Sequence, residues 1–359
     1  MGNLELDAAC WKNKRVLITG HTGFKGSWLA NWLLQYGAKV TGLSLEPVFE
    51  PNHFDLLKLE MDSHFVDIRD EAKLAVTIKA IRPEIIFHLA AQSLVRDSYH
   101  DPLATFNTNV LGTANILQAS RAVEDLKAVL VITSDKCYEN KEWSFAYREN
   151  DEMGGYDPYS ASKGCAELVA ASFRNSFFNV ERYGTQHQTL IATARAGNVL
   201  GGGDWAKDRL MPDLFRAIGA RKTVRIRNPQ AVRPWQHVLD CLSGYLCLAQ
   251  KLMQGEKQFA QAWNFGPSYQ SVISVLDAVK CIKKHWPSLQ YEIDSSSALH
   301  EAQLLVLDST KANRFLQWHN CLDFSDAIAW TVEWYRDYFE NKKIITNAQI
   351  QRYIKVAAT

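Results

Sequence analysis

Between residues 134 and 163 the chain holds five side chains able to bind and move protons: Ser134, Asp135, Lys136, Tyr159 and Lys163. Tyr159 and Lys163 stand four apart, which places them on one face of a helix. An ammonium beside a phenol favours the phenolate, so Lys163 is expected to lower the Tyr159 pKa from its free value of about 10 and make it a base. Asp135 and Lys136 add an acid and a base beside the same pocket. For Asp135 to donate near neutral pH its pKa has to be raised by burial or a like charge, and a charged Lys136 would do the opposite. The consistent version has Lys136 buried, neutral and acting as the second base. The competing readings are a solvated ion pair at a strand end and a chance Tyr/Lys spacing.

The elements that have to position these groups begin with a glycine loop. Gly20-His21-Thr22-Gly23-Phe24-Lys25-Gly26 follows the apolar run Val16–Ile18 and precedes a stretch with Trp28, Leu29, Trp32 and Leu33 on a helical repeat. Strand, glycine loop and helix in that order form the context of the dinucleotide fingerprint. There the glycines allow a tight turn, bring backbone amides to a pyrophosphate and let helix and strand pack closely, with the helix N-terminus facing the anion. The alternative is an ordinary glycine turn.

Apolar runs at 16–19, 40–43, 65–66, 85–89, 129–133 and 190–194 read as strands, with helical patterns near 24–36, 70–81, 102–122 and 158–180. Pro158 suits a first helical turn. Such alternation predicts an α/β, Rossmann-type doubly wound parallel sheet. Its ligand lies beyond the strand carboxyl ends. The glycine loop, the Ala90-Ala91-Gln92 turn and Ser134 all fall at such ends, so separate motifs converge on one edge. The pattern loosens after Gly201-Gly202-Gly203. The expected division is a dinucleotide-binding domain over 1–200, rejoined by about 231–265, and a smaller C-terminal α/β substrate domain from 201–230 and 266–359. A helix is expected over 240–252. Another near 324–340 carries Phe324, Ile328, Val332, Tyr335 and Phe339 at core spacing. The last fifteen or so residues read as a tail.

Composition narrows the class. The 359 residues are 47% hydrophobic, with 40 Lys and Arg against 39 Asp and Glu, so no broad basic surface points to nucleic acid. The seven cysteines are scattered without a Cys-x-x-Cys, which favours free thiols in a reducing compartment, and no Cys/His cluster has zinc spacing, so no metal is expected. No long apolar N-terminal segment predicts a signal or a membrane span, and a cytoplasmic enzyme is expected.

The spacing Gly-x-x-Gly-x-x-Gly followed by Ser and Tyr-x-x-x-Lys resembles the extended short-chain dehydrogenase/reductase family. So do His88-Leu89-Ala90-Ala91-Gln92, Asn109-Val110-Leu111-Gly112-Thr113, Asn198-Val199 and Arg233-Pro234-Trp235-Gln236-His237-Val238. The resemblance covers most of the chain. An acid after the catalytic Ser marks the sugar 4,6-dehydratases of that family, which usually carry Asp-Glu where this chain carries Asp135-Lys136. The Lys, the loop Gly-His-Thr-Gly-Phe-Lys-Gly and His300-Glu301-Ala302 resemble the dehydratases that act on CDP-D-glucose.

That resemblance implies NAD as cofactor, CDP-glucose as substrate and dehydration across C5 and C6 after transient oxidation at C4, in deoxysugar and lipopolysaccharide O-antigen biosynthesis. Ser44 stands where NAD-binding folds usually place an acid, Glu46 comes two residues late, and nothing basic replaces it. The implied cofactor contacts are residues 20–26, Asp67 and Ile68 at the adenine, Leu89, Ala90, Ala91, Gln92, Asn109, Tyr159 and Lys163; Asp67 could equally cap the helix near 70. The implied catalytic set is Ser134, Asp135, Lys136, Tyr159 and Lys163. The implied substrate contacts are Asn198, Arg209, Arg233 and His300. Relatives pair through two helices, here near 102–122 and 158–180, so a homodimer or higher homo-oligomer is expected, with Leu103, Phe106, Val110 and Leu117 as candidates for its face. A 4-epimerase, a decarboxylase and a non-catalytic dinucleotide sensor on the same fold remain open.

Overall fold

Apolar runs with a side chain buried on each face can only be interior parallel strands, and the first half of the chain builds such a sheet. The computed structural model describes residues 6–358 apart from 48, 208, 227 and 294–303. The strands are β1 Arg15–Thr19, β2 Lys39–Ser44, β3 Asp62–Phe65, β4 Ile85–His88, β5 Ala128–Ile132 and β6 Leu190–Ala196. After them β7 Asn198–Leu200, β8 Val224–Ile226 and β9 Val232–His237 leave the sheet; β10 Ala262–Phe265 returns to it, followed by β11 Val272–Ser274 and β12 Tyr291–Ile293.

The main sheet runs β10-β6-β5-β4-β1-β2-β3, parallel throughout. Alternate residues sort into two cores. Val16, Ile18, Ile85, Phe87, Leu130 and Ala192 face one layer, and Leu17, Ile86, Val129, Val131 and Ile191 the other. Truncating one of these, for example Leu130→Ala, costs about 2–5 kcal/mol. The order reverses between β1 and β4, so their carboxyl ends part and open a cleft.

The helices that matter for the cleft are α1 Phe24–Gln35, α2 Glu71–Ile81, α3 Pro158–Ser176, α4 Leu210–Gly219, α5 Val238–Met253, α6 Val275–His285, α7 Phe324–Arg336 and α8 Thr346–Ala357. α3 starts where Pro158 predicts, with the Asp157 carboxylate accepting from the Ser160 amide at 2.9 Å. The predicted 102–122 helix is interrupted: Pro102–Phe106 and Gly112–Ser120 flank a π-helical turn, Asn107–Leu111, that rotates Asn109 inward.

Three expectations need correction. The C-terminal stretch is no tail: α8 buries Ile350 and Tyr353, and Tyr353 packs edge-on against Trp32. Its apolar positions recur every three or four residues, but the turns between are polar enough to hide them. The third strand lies at 62–65, because an edge strand exposed along most of its length shows no apolar alternation. The expected domain division is not clean either. β7 and β11 both pair with β9 in a separate three-stranded sheet, β8 pairs with β12, and α8 packs back on α1 of the first domain, with Asn347 accepting from Asn31 at 2.6 Å. Within α7 the core reading holds: Ile328, Val332 and Tyr335 are buried, and Tyr335 stacks on Phe215 at 4.1 Å. Among the described residues no helix is long and apolar enough to cross a membrane.

Candidate active site

The glycine loop closes over the β1 end of the cleft. Gly20 has φ +75°, and a Cβ there would lie 2.8 Å from the Ala90 amide nitrogen. A Cβ on Gly26 would lie 2.2 Å from the Gly20 carbonyl oxygen. Both positions therefore exclude any side chain, and loop, α1 and β4 turn meet backbone to backbone. Gly23 is the N-cap of α1 and brings no capping side chain, which leaves the first-turn amides directed at the cleft. A cradle of bare amides at a helix N-terminus, at the switch point of a parallel sheet, fits a dinucleotide pyrophosphate.

The predicted loop residues divide by where they point. The His21 ring turns away from the cleft, packs over Gly42, meets Phe54 edge-on at 4.9 Å and is fully buried, which drops its pKa to about 4. Thr22 Oγ1 lies 2.6 Å from Ser44 Oγ, so the hydroxyl standing at the usual acid position is already engaged. Phe24 packs partly into the core, and Lys25 Nζ donates to Tyr245 Oη on α5 at 3.4 Å. Asp67 takes the Arg69 guanidinium through both carboxylate oxygens, which holds it below the usual carboxylate range; the cap of α2 is Asp70. The Ile68 side chain is buried, and its carbonyl accepts from Asn115 at 3.0 Å.

A hydrogen-bond chain joins the β4 turn to the catalytic helix. Thr19 Oγ1 accepts from the Ala90 amide at 3.2 Å and is hydrogen-bonded to His88 Nδ1 at 2.7 Å. His88 Nε2 then donates to Thr113 Oγ1 at 3.0 Å, and Thr113 donates to the Asn109 carbonyl at 2.7 Å. Complete burial holds this imidazole neutral, with a pKa of about 3. Asn109 accepts from the Gln92 amide at 2.8 Å and donates to the Gln92 carbonyl at 2.9 Å and to Ser162 on α3 at 2.8 Å. Asn109 thus spends its side chain on the turn and helix around the cleft. Leu89 and Ala91 line the same turn, both half-buried.

The structure brings Ser134, Asp135, Tyr159 and Lys163 together. Asp135 begins a short 3-10 turn directly after β5 and is 5% exposed, so it is not a solvated surface acid. Ser134 Oγ donates to Asp135 Oδ1 at 2.8 Å and accepts from the Lys136 amide at 3.3 Å. Lys136 is half-buried beside them. Burial pushes the Tyr159 phenol up to about 12; the Ser134 hydroxyl and the Arg209 guanidinium pull it back, while Asp135 and Asp157 push it further up. Ser134 and Arg209 are the groups that act on the phenol in the lowering direction. Lys163 is itself fully enclosed and donates to the Ile132 carbonyl at 3.4 Å. Burial and the nearby Lys25 bring it down to about 8.

On the far wall, Gly197 faces Asp135: a Cβ there would stand 3.0 Å from Oδ2. Asn198 follows it, half-buried, in register with Trp235 of β9, the strand that also carries Arg233. Arg209 crosses from the 201–209 segment to the β4 turn, donating to the Ser93 carbonyl at 3.3 Å and hydroxyl at 3.2 Å and facing Asp204 at 3.7 Å. His300 and Glu301 lie outside the described residues. Among the described residues no group of three or more His, Cys, Asp or Glu is placed to hold a metal.

The sequence reading missed the groups behind this front. Glu167 on α3 and Arg195 on β6 form a buried ion pair at 2.8 Å, 4% and 3% exposed. The signal was present: Glu167 repeats the Tyr159–Lys163 spacing, and Arg195 is the one charged residue in the strand Leu190–Ala196.

Comparison with known proteins agrees with this geometry. A family model described as GDP-mannose 4,6 dehydratase matches residues 17–331. The CDP-glucose 4,6-dehydratase of Salmonella typhimurium (strain LT2) is 48% identical over 354 residues, 97% of this chain and 98% of its own. The UDP-glucose 4-epimerase of Mycoplasma pneumoniae is 27% identical, covering 90% of this chain and 97% of its own. Among solved structures, the dTDP-glucose 4,6-dehydratase DesIV of Streptomyces venezuelae, with NAD and TYD bound, superposes with a TM-score of 0.75 at 23% identity, over 91% of this chain and 99% of its own.

Proposed function

The chain belongs to the GDP-mannose 4,6 dehydratase family, within the extended short-chain dehydrogenases, and from that premise we propose that its substrate is CDP-D-glucose. It is an NAD-dependent nucleotide-sugar 4,6-dehydratase, a hydro-lyase. The product is then CDP-4-dehydro-6-deoxy-D-glucose. The observation that carries the reading is Asp135, buried and hydrogen-bonded to Ser134 beside Tyr159. A 4-epimerase has no use for a second proton-transfer group at C5 and C6, and a nucleotide sensor has no use for either set.

The C5 proton of a hexose is not acidic until C4 becomes a ketone, so oxidation at C4 has to precede loss of water. Bound in this cleft, NAD would supply the hydride acceptor for C4 and the hydride donor for C6. The first-turn amides of α1 would hold its pyrophosphate, Asp67 and Ile68 would flank the adenine, residues 89–92 would line the nicotinamide side, and Lys163 would take the ribose. Tyr159 removes the C4 hydroxyl proton while Ser134 hydrogen-bonds the developing oxygen. Lys136 takes the C5 proton, Asp135 gives a proton to the departing C6 hydroxyl, and Lys136 gives a proton back to C5 as C6 is reduced. Ser134 stands between Asp135 Oδ1 and the Tyr159 phenol, and its hydrogen bond to the phenol favours the phenolate. Asn198, Arg209 and Arg233 hold the sugar diphosphate, guanidinium being suited to phosphate oxygens. His300 remains a candidate contact on sequence resemblance.

Leu103 is 73% exposed, Leu111 56% and Leu168 60%, on the adjacent helices 102–120 and α3, and these support a homodimer through that face in a cytoplasmic enzyme of deoxysugar and O-antigen synthesis. Leu117 is fully buried and serves the core instead. Sedimentation at monomer mass would overturn the dimer. The activity test is incubation with NAD and, in parallel, CDP-, UDP-, GDP- and dTDP-glucose, following the 4-keto sugar by its absorbance in alkali. Selective turnover of the cytidine sugar is expected; equal rates on all four, or none, would refute the assignment.

A further inference from the structure

The catalytic groups sit on two separate pieces of chain, the turn after β5 and helix α3, and one buried carboxylate is bonded to the surroundings of both. Glu167 lies one turn beyond Lys163 and two beyond Tyr159 on α3. Its Oε1 accepts from Thr133 Oγ1 at 2.5 Å, and its Oε2 accepts from Thr193 Oγ1 at 2.7 Å and from Arg195 Nη2 at 2.8 Å. Arg195 Nη1 donates in turn to Tyr138 Oη at 2.6 Å and to the Glu149 carbonyl at 3.0 Å. Tyr138 passes its own proton to Asn264 Oδ1 on β10 at 2.8 Å.

Thr133 and Tyr138 immediately flank the segment 134–137. One end of the catalytic turn is therefore tied to Glu167 and the other to Arg195, while Glu167 belongs to the helix that carries Tyr159 and Lys163. Removing both ions from water is costly, and apolar residues of equal volume often serve stability as well or better. Core stability alone does not call for a charged pair here.

We infer that Glu167 and Arg195 are positioning residues: they set the register of the Ser134-Asp135-Lys136 turn against the Tyr159–Lys163 helix. The inference rests on the dehydratase reading and deepens it. The groups facing this pair come from several elements. Thr133, Thr193 and Arg195 bond to Glu167, and Arg174 acts on it from α3 itself. Toward Lys163 stand Lys25 from α1, Cys137 from the catalytic turn and His88 from β4. Lys25 opposes the ammonium, while Glu167 and Cys137 favour it. Loss of Glu167 therefore leaves Lys163 to shed its proton at lower pH.

The test compares Glu167→Gln, the double variant Glu167→Gln/Arg195→Met, and Tyr138→Phe in the full-length enzyme, with folding followed by thermal denaturation. The double variant removes both charges and so avoids a stranded arginine. It is expected to fold, to keep KM within about two-fold and to lose kcat by about 10–100-fold, the scale of a sub-ångström to ångström misplacement. Its alkaline activity limb is expected to move to lower pH, which repacking alone would not cause. Tyr138→Phe breaks the tie to the turn without changing charge, so kcat falls by a smaller factor and the limb stays. Native kcat and an unmoved limb in a folded double variant would overturn the inference. So would native kcat in Tyr138→Phe if the double variant does not fold. Failure of the wild-type protein to turn over any nucleotide sugar would sink the dehydratase reading instead, and is read separately.

Discussion

Ser134 Oγ donates to Asp135 Oδ1 at 2.8 Å and also contacts the Tyr159 phenol, so one serine stands between the oxidation base and the dehydration acid. The Asp135 charge is among the influences that hold the Tyr159 phenol up, and the phenol ionises more readily once that charge is gone. The Tyr159 ionisation can therefore be probed by removing Asp135.

Asp135→Asn removes the acid and the charge together. Overall turnover should fall by about 10²–10⁴, the usual contribution of a positioned acid. The C4 oxidation half-reaction should persist, seen as absorbance of reduced nicotinamide under single-turnover conditions. Its acid limb should move to lower pH, because a negative charge beside the phenol has been lost. A variant that neither dehydrates nor reduces the cofactor, yet binds it normally, would place Asp135 in the first step.

Lys136→Met keeps the length of the side chain and removes its nitrogen. If Lys136 is the C5 base, solvent deuterium entry at C5 should stop while reduced nicotinamide still forms. Mass spectrometry of product made in deuterium oxide reads this directly. Unchanged deuterium entry would transfer the role to Tyr159 or to water.

Gly20→Ala places a Cβ 2.8 Å from the Ala90 nitrogen, at a backbone φ of +75°. The β4 turn has to move, and with it the hydrogen bonds from Ala90 to Thr19 and onward to His88. Left-handed strain alone costs about 1–2 kcal/mol for a residue bearing a Cβ. A melting-temperature loss and cofactor affinity weakened by at least ten-fold are expected, measured by calorimetric titration. Wild-type affinity would show that the amides of this loop do not hold the pyrophosphate.

Where the sequence spoke clearly, one physical constraint acted alone. Gly20 and Gly26 are dictated by backbone contact, Pro158 and Asp157 by the helix start, and the interior strands by burial on both faces. Where it misled, two constraints competed. His21 occupies a loop position that favours cofactor contact, but its ring is drawn under β2 by apolar packing with Phe54 and Phe65. Lys163 has the spacing to lower the Tyr159 pKa, but enclosure and Lys25 weaken its own charge first. Glu167 and Arg195 were visible only as two charges in apolar surroundings; that they answer each other is a property of the β5–β6 pairing, which no local pattern encodes.

Asp240 offers a prediction about stability that is independent of the chemistry. It sits in the first turn of α5, wholly buried, where Oδ1 accepts from the Cys321 amide at 2.7 Å and from Tyr353 Oη at 2.8 Å, while Oδ2 has no partner. Burial raises its pKa from 3.8 to about 7. Below pH 3.8 the carboxyl is neutral in both folded and unfolded chains and costs nothing extra. As pH rises toward 7 the unfolded chain ionises and the folded one does not, so stability falls; above about 7 the penalty is complete and constant. At about 1.4 kcal/mol per pH unit the full penalty is about 4 kcal/mol. Asp240→Asn keeps the acceptor for Tyr353 and Cys321 and removes the charge, at a cost of about 1–3 kcal/mol for a buried amide without a partner. The variant should therefore be about 1–3 kcal/mol more stable than wild type at pH 8, an advantage lost by pH 5. Thermal denaturation across that range measures it, and a variant less stable at pH 8 would mean that the folded protein accommodates the Asp240 charge.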